Sequence, residues 1–171
     1  HEIELCDRAK DFGIETIIYN KLELQKLEPN VGVNSIGAVY FPLDAHLHPI
    51  KWMNAMKEYL TNNGVKILYN TEVSDFIIEN NKIKSVVINN QKNEADQFII
   101  ATGAWLPNVV KKLGIDLLLQ AGKGYSVTFK NVENNLTRPA ILVDDRVALT
   151  PLGNDLRVGG TMELSGINHE I

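Results

Sequence analysis

The sequence feature that most constrains the fold is a change of hydrophobic period inside residues 49–101. In the first part of this segment, apolar residues recur at the spacing of one helix face, at Ile50, Met53, Met56 and Leu60. Pro49 suits the first helical position, because the N–H that proline lacks would have no partner there. Asn62-Asn63-Gly64 is typical of a helix end. A helix is therefore predicted from Pro49 to about residue 62.

From residue 65 onward the apolar positions alternate with polar ones, in runs rich in Val and Ile. A period of two is typical of β-strands. The runs predict strands within residues 65–73, 74–79, 82–88 and 96–101. Asn80-Asn81 and Asn89-Asn90 stand between runs, and asparagine tolerates the positive φ that a tight hairpin turn needs. The segment therefore predicts a β-meander.

The segment before this pattern predicts shorter elements. They are a helix at residues 2–12, a strand at residues 16–19, a helix at residues 21–27 and a strand at residues 37–42. Gly13 is placed to close the first helix. The second helix should stop at Glu28-Pro29, because the residue before a proline is pushed out of the helical region.

After the meander the predicted order is strand, glycine turn, helix. Ala101-Thr-Gly-Ala-Trp105 leads into a helix from about Leu106, with Gly114 beyond its last turn. The remaining apolar runs predict strands within residues 118–129, 140–143, 147–150 and 156–164. Together these elements indicate an α+β fold.

Composition excludes several classes of protein. With 44% hydrophobic and 22% charged residues, the chain is typical of a folded globular protein rather than a disordered one. The net charge of -4 comes without a basic stripe, so nucleic acid is not expected as a partner. No apolar run approaches the roughly 20 residues that cross a bilayer, so no transmembrane segment is expected.

The single cysteine and the chain ends lead to expectations about the cellular compartment and about the completeness of the chain. Cys6 allows no internal disulfide and fits a reducing compartment, which favours the cytoplasm. It falls in a weak surface helix, so it is expected to be inert rather than a nucleophile. The first residues lack the apolar stretch of a signal peptide. The chain begins without Met and stops directly after a strand-like run, which predicts a piece excised from a longer protein.

The glycine turn at Gly103 is the first candidate site. A glycine between a strand end and a helix start lets another group approach the backbone, and a helix N-terminus offers N–H donors to an anion. Such turns hold phosphates in nucleotide-binding folds, although a glycine at this place is also common in a plain tight turn. On the residues alone both interpretations stay open.

Other polar positions provide no catalytic set. Asp44, His46 and His48 crowd before the long helix, but no second ligand cluster accompanies them, so a helix-capping loop is favoured and no metal is expected. Gly124 and the pair Gly159-Gly160 interrupt strand-like runs, where glycine marks a bulge or a close approach. The chain contains no nucleophile elbow, no G-x-G-x-x-G fingerprint and no Walker-type loop. No catalytic residue is therefore assigned.

Short motifs are distributed along most of the chain. They are Leu27-Glu-Pro29, Gly37-Ala-Val-Tyr-Phe-Pro42, Asn63-Gly-Val-Lys-Ile67, Asn70-Thr-Glu-Val73, Ile99-Ile-Ala-Thr-Gly-Ala-Trp105, Lys123-Gly-Tyr-Ser126, Leu156-Arg-Val-Gly-Gly-Thr161 and Gly166-Ile-Asn168. In combination they resemble the D-amino-acid oxidase superfamily of FAD enzymes. Within it, the motifs at Lys123 and Arg157 resemble most closely the D-amino-acid dehydrogenases, in their small subunits.

The resemblance implies FAD as cofactor and an amino acid as substrate. In this superfamily the flavin takes a hydride from the Cα–H of the amino acid, and the imino acid hydrolyses to a 2-oxo acid and ammonia. The implied cofactor site consists of the Val73 backbone and Ala101, Thr102, Gly103, Ala104 and Trp105. The implied substrate residues are Tyr125, Thr150 and Gly160. Quinone or oxygen is the implied electron acceptor, and peripheral attachment of the whole enzyme to a membrane stays open.

The resemblance also implies a division of the chain. Residues 1–36 would be a piece of the substrate domain, residues 37–117 the meander and strand-helix elements of the FAD-binding domain, and residues 118–171 part of a mixed or antiparallel substrate-domain sheet. Family members carry a G-x-G-x-x-G turn near their start and, near their end, a glycine- and arginine-containing segment that usually supplies the arginine for the substrate carboxylate. This chain contains neither, so it is expected to be inactive alone and to hold no FAD by itself.

Two departures from the family pattern bear on the substrate rather than the fold. His48 stands where related sequences often place Asp, and Pro151 stands where dehydrogenases tend to carry a basic residue. Glycine, sarcosine and a 2-hydroxy acid such as 2-hydroxyglutarate are therefore alternative substrates on the same fold. A non-catalytic binding module is the alternative from another class.

Overall fold

The computed structural model describes residues 2–168 and residue 170. The helices are α1 (Glu2–Asp11), α2 (Lys21–Leu27), α3 (Pro49–Asn62) and α4 (Leu106–Lys111), with a single 3₁₀ turn (Gly103–Trp105) directly before α4. The strands are β1 (Ile17–Asn20), β2 (Gly37–Tyr40), β3 (Val73–Glu79), β4 (Lys82–Ile88), β5 (Gln91–Glu94), β6 (Lys123–Phe129), β7 (Ala140–Leu142), β8 (Val147–Leu152) and β9 (Asp155–Glu163). Helices and antiparallel strand pairs are both present, which confirms the predicted α+β class.

The chain divides into two compact units. One comprises His1–Asn54 and Gly124–Thr161, and the other comprises Ala55–Lys123 and Met162–Ile171. Both units are discontinuous in sequence. Within the described residues, no helix combines the length and the apolar character needed to cross a bilayer.

The first unit is built around two sheets. β1 and β2 form an antiparallel pair in which Ile17 lies opposite Tyr40. The larger sheet has the strand order β6-β9-β8-β7. β8 is antiparallel to both of its neighbours, with Ala148 opposite Gly159 on one side and opposite Ile141 on the other. β9 is consequently a central strand, flanked on both sides.

The second unit contains the predicted β-meander as a sheet of order β3-β4-β5. Its two hairpin turns are Asn80-Asn81 and Asn89-Asn90, and all four asparagines have φ between 49° and 62°. This left-handed conformation is the one that type I′ hairpins require. The register of β3 shifts between Val73 and Asp75 and again between Ile77 and Ile78, which marks β-bulges.

The bounds of α2 follow from local chemistry. The Asn20 side chain accepts hydrogen bonds from the N–H groups of Leu22 and Glu23, at 2.9 and 3.0 Å. In return the Glu23 carboxylate accepts from the Asn20 N–H at 2.8 Å, which completes a capping box. Pro29 lies two residues after the last helical residue, as predicted.

Part of the strand prediction was wrong. Residues 65–72 and 96–100 are not strands, and the third meander strand is instead the polar segment Gln91–Glu94. A strand exists only when a neighbouring ladder satisfies its N–H and C=O groups. The two apolar runs have no such neighbour within the described part of the chain, whereas Gln91 is placed opposite Ile88 by the Asn89-Asn90 turn.

The apolar surface of this chain is unusually exposed. Among the described residues, the buried apolar side chains are Cys6, Ala9 and Val110. The accessible surface is 13902 Å², compared with about 8,400 Å² for a monomer of this mass and about 10,000 Å² for two separate domains of half that mass. The exposure includes Leu118 and Ile99, each above nine-tenths. Cys6 itself lies in the core rather than on the predicted helix surface.

Candidate functional site

The glycine turn lies directly before α4, as predicted, but residues 96–100, which were expected to lead into it as a strand, are not a strand. Gly103 has φ of +54°, a conformation that L side chains rarely adopt. The Trp105 N–H donates to the Thr102 carbonyl at 3.1 Å and closes the turn. Ala101, Thr102 and Gly103 are exposed. The five predicted cofactor positions are therefore consecutive at this turn, and all but the half-buried Ala104 are exposed.

The space beside Gly103 is open to an approaching ligand. A Cβ placed on Gly103 would meet no heavy atom within 4 Å, so no packing contact inside the chain demands the glycine. The left-handed conformation and the free space beside it are what a close backbone approach requires. The fit concerns one edge of such a site, because the G-x-G-x-x-G segment that grips a pyrophosphate is not part of these 171 residues.

Val73, the sixth predicted cofactor residue, lies at the start of β3 beside a bulge. Its neighbour Ser74 offers a backbone carbonyl to the Lys112 ammonium, at 2.5 Å. Lys112 follows α4 directly, so a contact joins the start of β3 to the C-terminal end of that helix. The glycine turn lies at the other end of α4. Bulges are frequent beside ligand sites, since they re-aim the backbone.

The three predicted substrate residues lie on different faces of the four-stranded sheet. The Arg157 guanidinium donates from Nε to Ser126 Oγ at 3.1 Å, which places both side chains on one face. Residues opposite each other or two apart share a face. This face, called here the Ser126 face, comprises Ser126, Ile141, Ala148, Thr150, Arg157 and Gly159. Tyr125 is next to Ser126 and Gly160 is next to Gly159 along their strands, so both belong to the opposite face.

Gly160 has a packing role of its own. A Cβ at this position would lie 2.8 Å from the Arg146 carbonyl oxygen and 2.9 Å from Val147 Cγ2. Backbone atoms at that distance cannot move aside without disturbing the sheet. The glycine is therefore required by the approach of β8 to β9, whatever ligand lies nearby.

A shallow groove opens on the Ser126 face. Its volume is about 610 Å³, and it is lined by Ile141, Val143, Asp144, Arg146, Ala148 and Gly159. The floor is made of small residues from β8 and β9, and the rim is made by the turn between β7 and β8. Arg146 in this turn has φ of +54°. Sequence reasoning did not find the groove, because it depends on a register across strands that the sequence does not display.

The loop before α3, which contains His46 and His48, lies against β8. His46 Nε2 lies 3.1 Å from the Pro151 carbonyl oxygen, at β8. The pKa of Asp155 is lowered first by the Lys130 ammonium and then by the Asn131 N–H, and His48 adds the smallest effect. Among the described residues, no group of three or more His, Cys, Asp or Glu side chains is arranged to hold a metal.

Glu28 is the polar residue that sequence reasoning missed most clearly. It is 5% exposed, and its carboxylate accepts hydrogen bonds from the Thr137 N–H and Thr137 Oγ1, both at 2.7 Å. Arg138 reaches the same carboxylate at 3.4 Å and the Leu27 carbonyl at 3.2 Å. We call Glu28, Thr137 and Arg138 together the Glu28 clasp. It ties the C-terminal end of α2 to a segment more than 100 residues away.

Tyr40 extends the clasp. The guanidinium of Arg138 lies 5.9 Å from the centre of the Tyr40 ring, and that ring lies 6.2 Å from the ring of Tyr19. The pKa of Arg138 is raised first by its interaction with Tyr40 and then by Glu28. The charged form of Arg138 is thus favoured by its surroundings.

A β-meander, a glycine turn that opens a helix, and a separate four-stranded sheet define an α+β fold. The model of the family described as FAD dependent oxidoreductase matches residues 1–171. The chain belongs to this family, whose cofactor is FAD.

Curated relatives of this chain include D-amino acid dehydrogenases. A D-amino acid dehydrogenase from Helicobacter pylori is 37% identical over 168 residues, which cover 98% of this chain and 40% of the relative. A D-amino acid dehydrogenase from Rhizobium rhizogenes is 30% identical over 138 residues, which cover 80% of this chain and 33% of the relative. The chain thus spans about two fifths or less of the length of these relatives.

Solved structures share the fold. Glycine oxidase from Bacillus cereus superposes with a TM-score of 0.83 at 24% identity, covering 97% of this chain and 46% of the oxidase. L-proline dehydrogenase from P. horikoshii gives a TM-score of 0.81 at 24% identity, with 92% and 44% of the two chains covered. At these identities the likeness concerns the fold alone.

Proposed function

We propose that the protein is an FAD-dependent enzyme that oxidises D-amino acids, and that this chain is an interior part of it. The observation that carries the proposal is the 37% identity to a D-amino acid dehydrogenase across 98% of the chain. The family match over residues 1–171 supports the cofactor. The large exposed apolar area supports the view that further protein covers these residues.

The reaction is oxidative deamination. The chemistry that FAD supplies is acceptance of a hydride from the substrate Cα, and the imino acid so formed hydrolyses to a 2-oxo acid and ammonia. The residues of this chain contribute binding and orientation. Ala101 to Trp105 would present an exposed backbone turn to the cofactor, with Gly103 leaving the space for its approach, and the Val73 backbone would contact its adenine end.

The substrate side is proposed on the four-stranded sheet. Thr150 lies on the Ser126 face beside the groove, whereas Tyr125 and Gly160 lie on the opposite face. The Ser126 face is the better candidate for contact with a small polar substrate, because its groove is open and its side chains include hydroxyl groups. Tyr125 and Gly160 would then lie on the face turned away from the substrate and contribute to the packing of the sheet.

The proposal also assigns the domains, the electron acceptor and the cellular compartment. Residues 1–36 and 118–171 are assigned to the substrate domain and residues 37–117 to the FAD-binding domain, supported by the family motifs in each part. Quinone or oxygen is proposed as electron acceptor. The cytoplasm is proposed as the compartment, supported by the single cysteine.

The test uses the complete protein that contains these residues, purified with FAD under anaerobic conditions. D-alanine, D-glutamate and other D-amino acids are added singly, and bleaching of the flavin absorbance is recorded. L-amino acids serve as the matched stereochemical control. Bleaching by D-amino acids alone is the expected result. Bleaching only by glycine, sarcosine or 2-hydroxyglutarate would show that this compound, and not a D-amino acid, is the substrate. No bleaching by any compound in the panel would contradict the redox role.

A further inference from the structure

We propose that Asn63 is a site of spontaneous covalent modification, at which the side-chain amide is lost and an aspartate or isoaspartate residue is formed. Asparagine is one of the thermally labile residues of proteins, and Asn63-Gly64 is the single Asn-Gly pair of this sequence. The reaction uses only water and the backbone of the chain. The inference therefore does not depend on the proposed function.

The modification consists of two steps in which atoms and electrons balance. In the first step the backbone nitrogen of Gly64 attacks Cγ of Asn63, the new N–Cγ bond closes a five-membered succinimide ring, and the Cγ–Nδ2 bond breaks. The departing Nδ2 group takes the proton from the Gly64 nitrogen and leaves as ammonia. In the second step water opens the ring at one of its two carbonyl groups, which gives aspartate or isoaspartate.

The residue that follows an asparagine determines how easily the ring closes. A side chain on that residue shields the attacking nitrogen, and glycine has none. Gly64 has φ of +82°, and a Cβ built on it would meet no heavy atom within 4 Å. The hairpin asparagines differ, because Asn80-Asn81 and Asn89-Asn90 are followed by Lys82 and Gln91. Asn63 is thus more open to attack than the asparagines of the meander.

The pair lies in water at the C-terminal end of α3. Asn63 and Gly64 are exposed, and so are Thr61 and Asn62 directly before them. α3 itself contains no buried residue. These four positions carry a hydroxyl, two amides and no side chain at all, a composition typical of surface that stays in contact with water. Both water and hydroxide therefore reach the reacting atoms.

Two hydrogen bonds restrain the reaction while the last turn of α3 is closed. Asn63 Nδ2 donates to the Tyr59 carbonyl at 2.8 Å, and the Gly64 N–H donates to the Thr61 carbonyl at 3.1 Å. They engage the nitrogen that leaves and the nitrogen that attacks, so the ring closes only when this turn opens. An exposed helix end opens at little cost in free energy. The rate of modification should therefore follow the opening of this turn.

The product weakens the end of α3. An aspartate or isoaspartate has no Nδ2 donor, so the bond to the Tyr59 carbonyl is lost. The new carboxylate also lies at the C-terminal end of a helix, where the macrodipole is already negative. An isoaspartate in addition inserts one CH₂ group into the main chain directly before Gly64. Each of these changes favours the open form of the last turn.

The test follows Asn63 in the complete FAD-bound protein, incubated at physiological temperature in neutral and in mildly alkaline buffer. The protein is digested at intervals, and mass spectrometry records the exchange of an N–H group for oxygen in the peptide that contains Asn63. An isoaspartate-specific methyltransferase with labelled methyl donor separates isoaspartate from aspartate. We expect both products to accumulate, together with one ammonia per modified chain, and faster at the higher pH because deprotonated nitrogen is the attacking species.

Two matched controls isolate the role of the Asn-Gly pair. Asn54 is exposed on the same helix but is followed by Ala55, so it should stay intact while Asn63 reacts. Gly64→Asn keeps a residue that tolerates positive φ and adds a side chain beside the attacking nitrogen, which should slow the modification about tenfold or more. If this variant does not fold, the comparison of Asn63 with Asn54 in the parent protein still decides.

Asn63→Asp tests the consequence for α3. It reproduces the charge and the loss of the Nδ2 donor, and should speed hydrogen exchange in residues 61–65 by about two- to fivefold. Unchanged exchange would contradict the weakening of this helix end.

A synthetic peptide of residues 59–68 reports the rate without the fold. An intact Asn63 in the protein after the peptide has reacted fully, or equal loss at Asn63 and Asn54, would overturn the proposal. Neither result bears on reduction of the flavin, so the proposed function is tested separately.

Discussion

At the scale of single residues, the Glu28 clasp shows how a polar group can hold distant parts of the sequence together. Glu28 stands out in the sequence only as the residue before Pro29 and as part of a family motif. Its role as an acceptor for Thr137 and Arg138 could not be predicted, because a contact across 109 residues leaves no local pattern. A buried carboxylate persists only when hydrogen bonds compensate for the water it has lost.

We expect Glu28→Gln to destabilise the protein by about 2–4 kcal/mol, because it removes charge-assisted bonds and leaves Arg138 with a neutral partner. The measurement is the free energy of unfolding in urea, followed by circular dichroism. Glu58→Gln is the matched control, since Glu58 is exposed on α3 and its loss should change stability by less than about 0.5 kcal/mol. Equal effects of the two substitutions would show that the clasp contributes nothing.

Asp155 should make stability depend on pH. Its pKa is lowered first by the Lys130 ammonium and then by the Asn131 N–H. A carboxyl group whose pKa is lower in the folded state stabilises the fold above its unfolded pKa of about 3.9, and this contribution disappears as the pH falls through the folded pKa.

The Tm difference between the parent and Asp155→Asn should therefore be present near neutral pH and shrink below about pH 4. Asp145→Asn, in an exposed turn, provides the control and should show no such trend. A difference that is independent of pH would contradict the assigned role of the Asp155 charge.

At the scale of secondary structure, elements with local signals were predicted well. α2 was placed at its observed residues, and its end follows from Pro29. The meander followed from its asparagine pairs, and α3 from its apolar spacing and Pro49. Each of these signals lies within a few residues of the feature it determines.

Elements that depend on distant partners were predicted less well. The runs at residues 65–72 and 96–100 have strand-like patterns, yet they are not strands without a ladder beside them. β5 was missed for the opposite reason. Its sequence, Gln-Lys-Asn-Glu, has no apolar period, and only the Asn89-Asn90 turn directs it onto β4.

The glycine turn provides a prediction with a close control. Gly103 and Gly64 both have positive φ, and neither would place a Cβ within 4 Å of another atom. Each Gly→Ala substitution should cost about 1 kcal/mol of stability through backbone strain. Only Gly103→Ala should also weaken FAD binding, by about tenfold or more, because its methyl group enters the space proposed for the cofactor.

The readout is the ratio of flavin to protein absorbance after dialysis, together with the Kd for FAD. Equal flavin content in the two variants would show that Gly103 does not contact FAD and belongs only to a tight turn.

We expect Gly160 to be required for the stability of the four-stranded sheet. Gly160→Ala would force a methyl group to within 2.8 Å of the Arg146 carbonyl, and we expect a loss of about 1–3 kcal/mol. Gly124→Ala, on β6 of the same sheet, meets no atom within 4 Å and has no positive φ. Thermal unfolding of both variants checks the difference, and a tolerated Gly160→Ala would contradict the close approach of β8 and β9.

At the scale of the whole molecule, many large apolar side chains of this chain are exposed, including Ile36, Ile99 and Leu118. Its accessible area of 13902 Å² exceeds even the roughly 10,000 Å² of two separate small domains. The candidate site shows the same dependence on context. The turn at Gly103 was found from sequence, whereas the two faces of the four-stranded sheet, and hence the separation of Thr150 from Tyr125, became visible only with the strand register.

The 171 residues produced alone should therefore bind a hydrophobic dye such as ANS strongly and elute as aggregates in size-exclusion chromatography. They should also purify without flavin colour. The complete protein, purified in parallel, should be yellow and bind the dye weakly. A monodisperse yellow preparation of the short chain would contradict this account of its exposed surface.

The asparagine-pair turns also bear on when each part of the molecule forms during synthesis. Each hairpin of the meander joins neighbouring strands, so closing it costs little chain entropy. The Glu28 clasp has to wait until residue 137 has been made. On the ribosome, residues 73–94 can pair as soon as they emerge. The meander can then protect its amides from exchange while the clasp is still open.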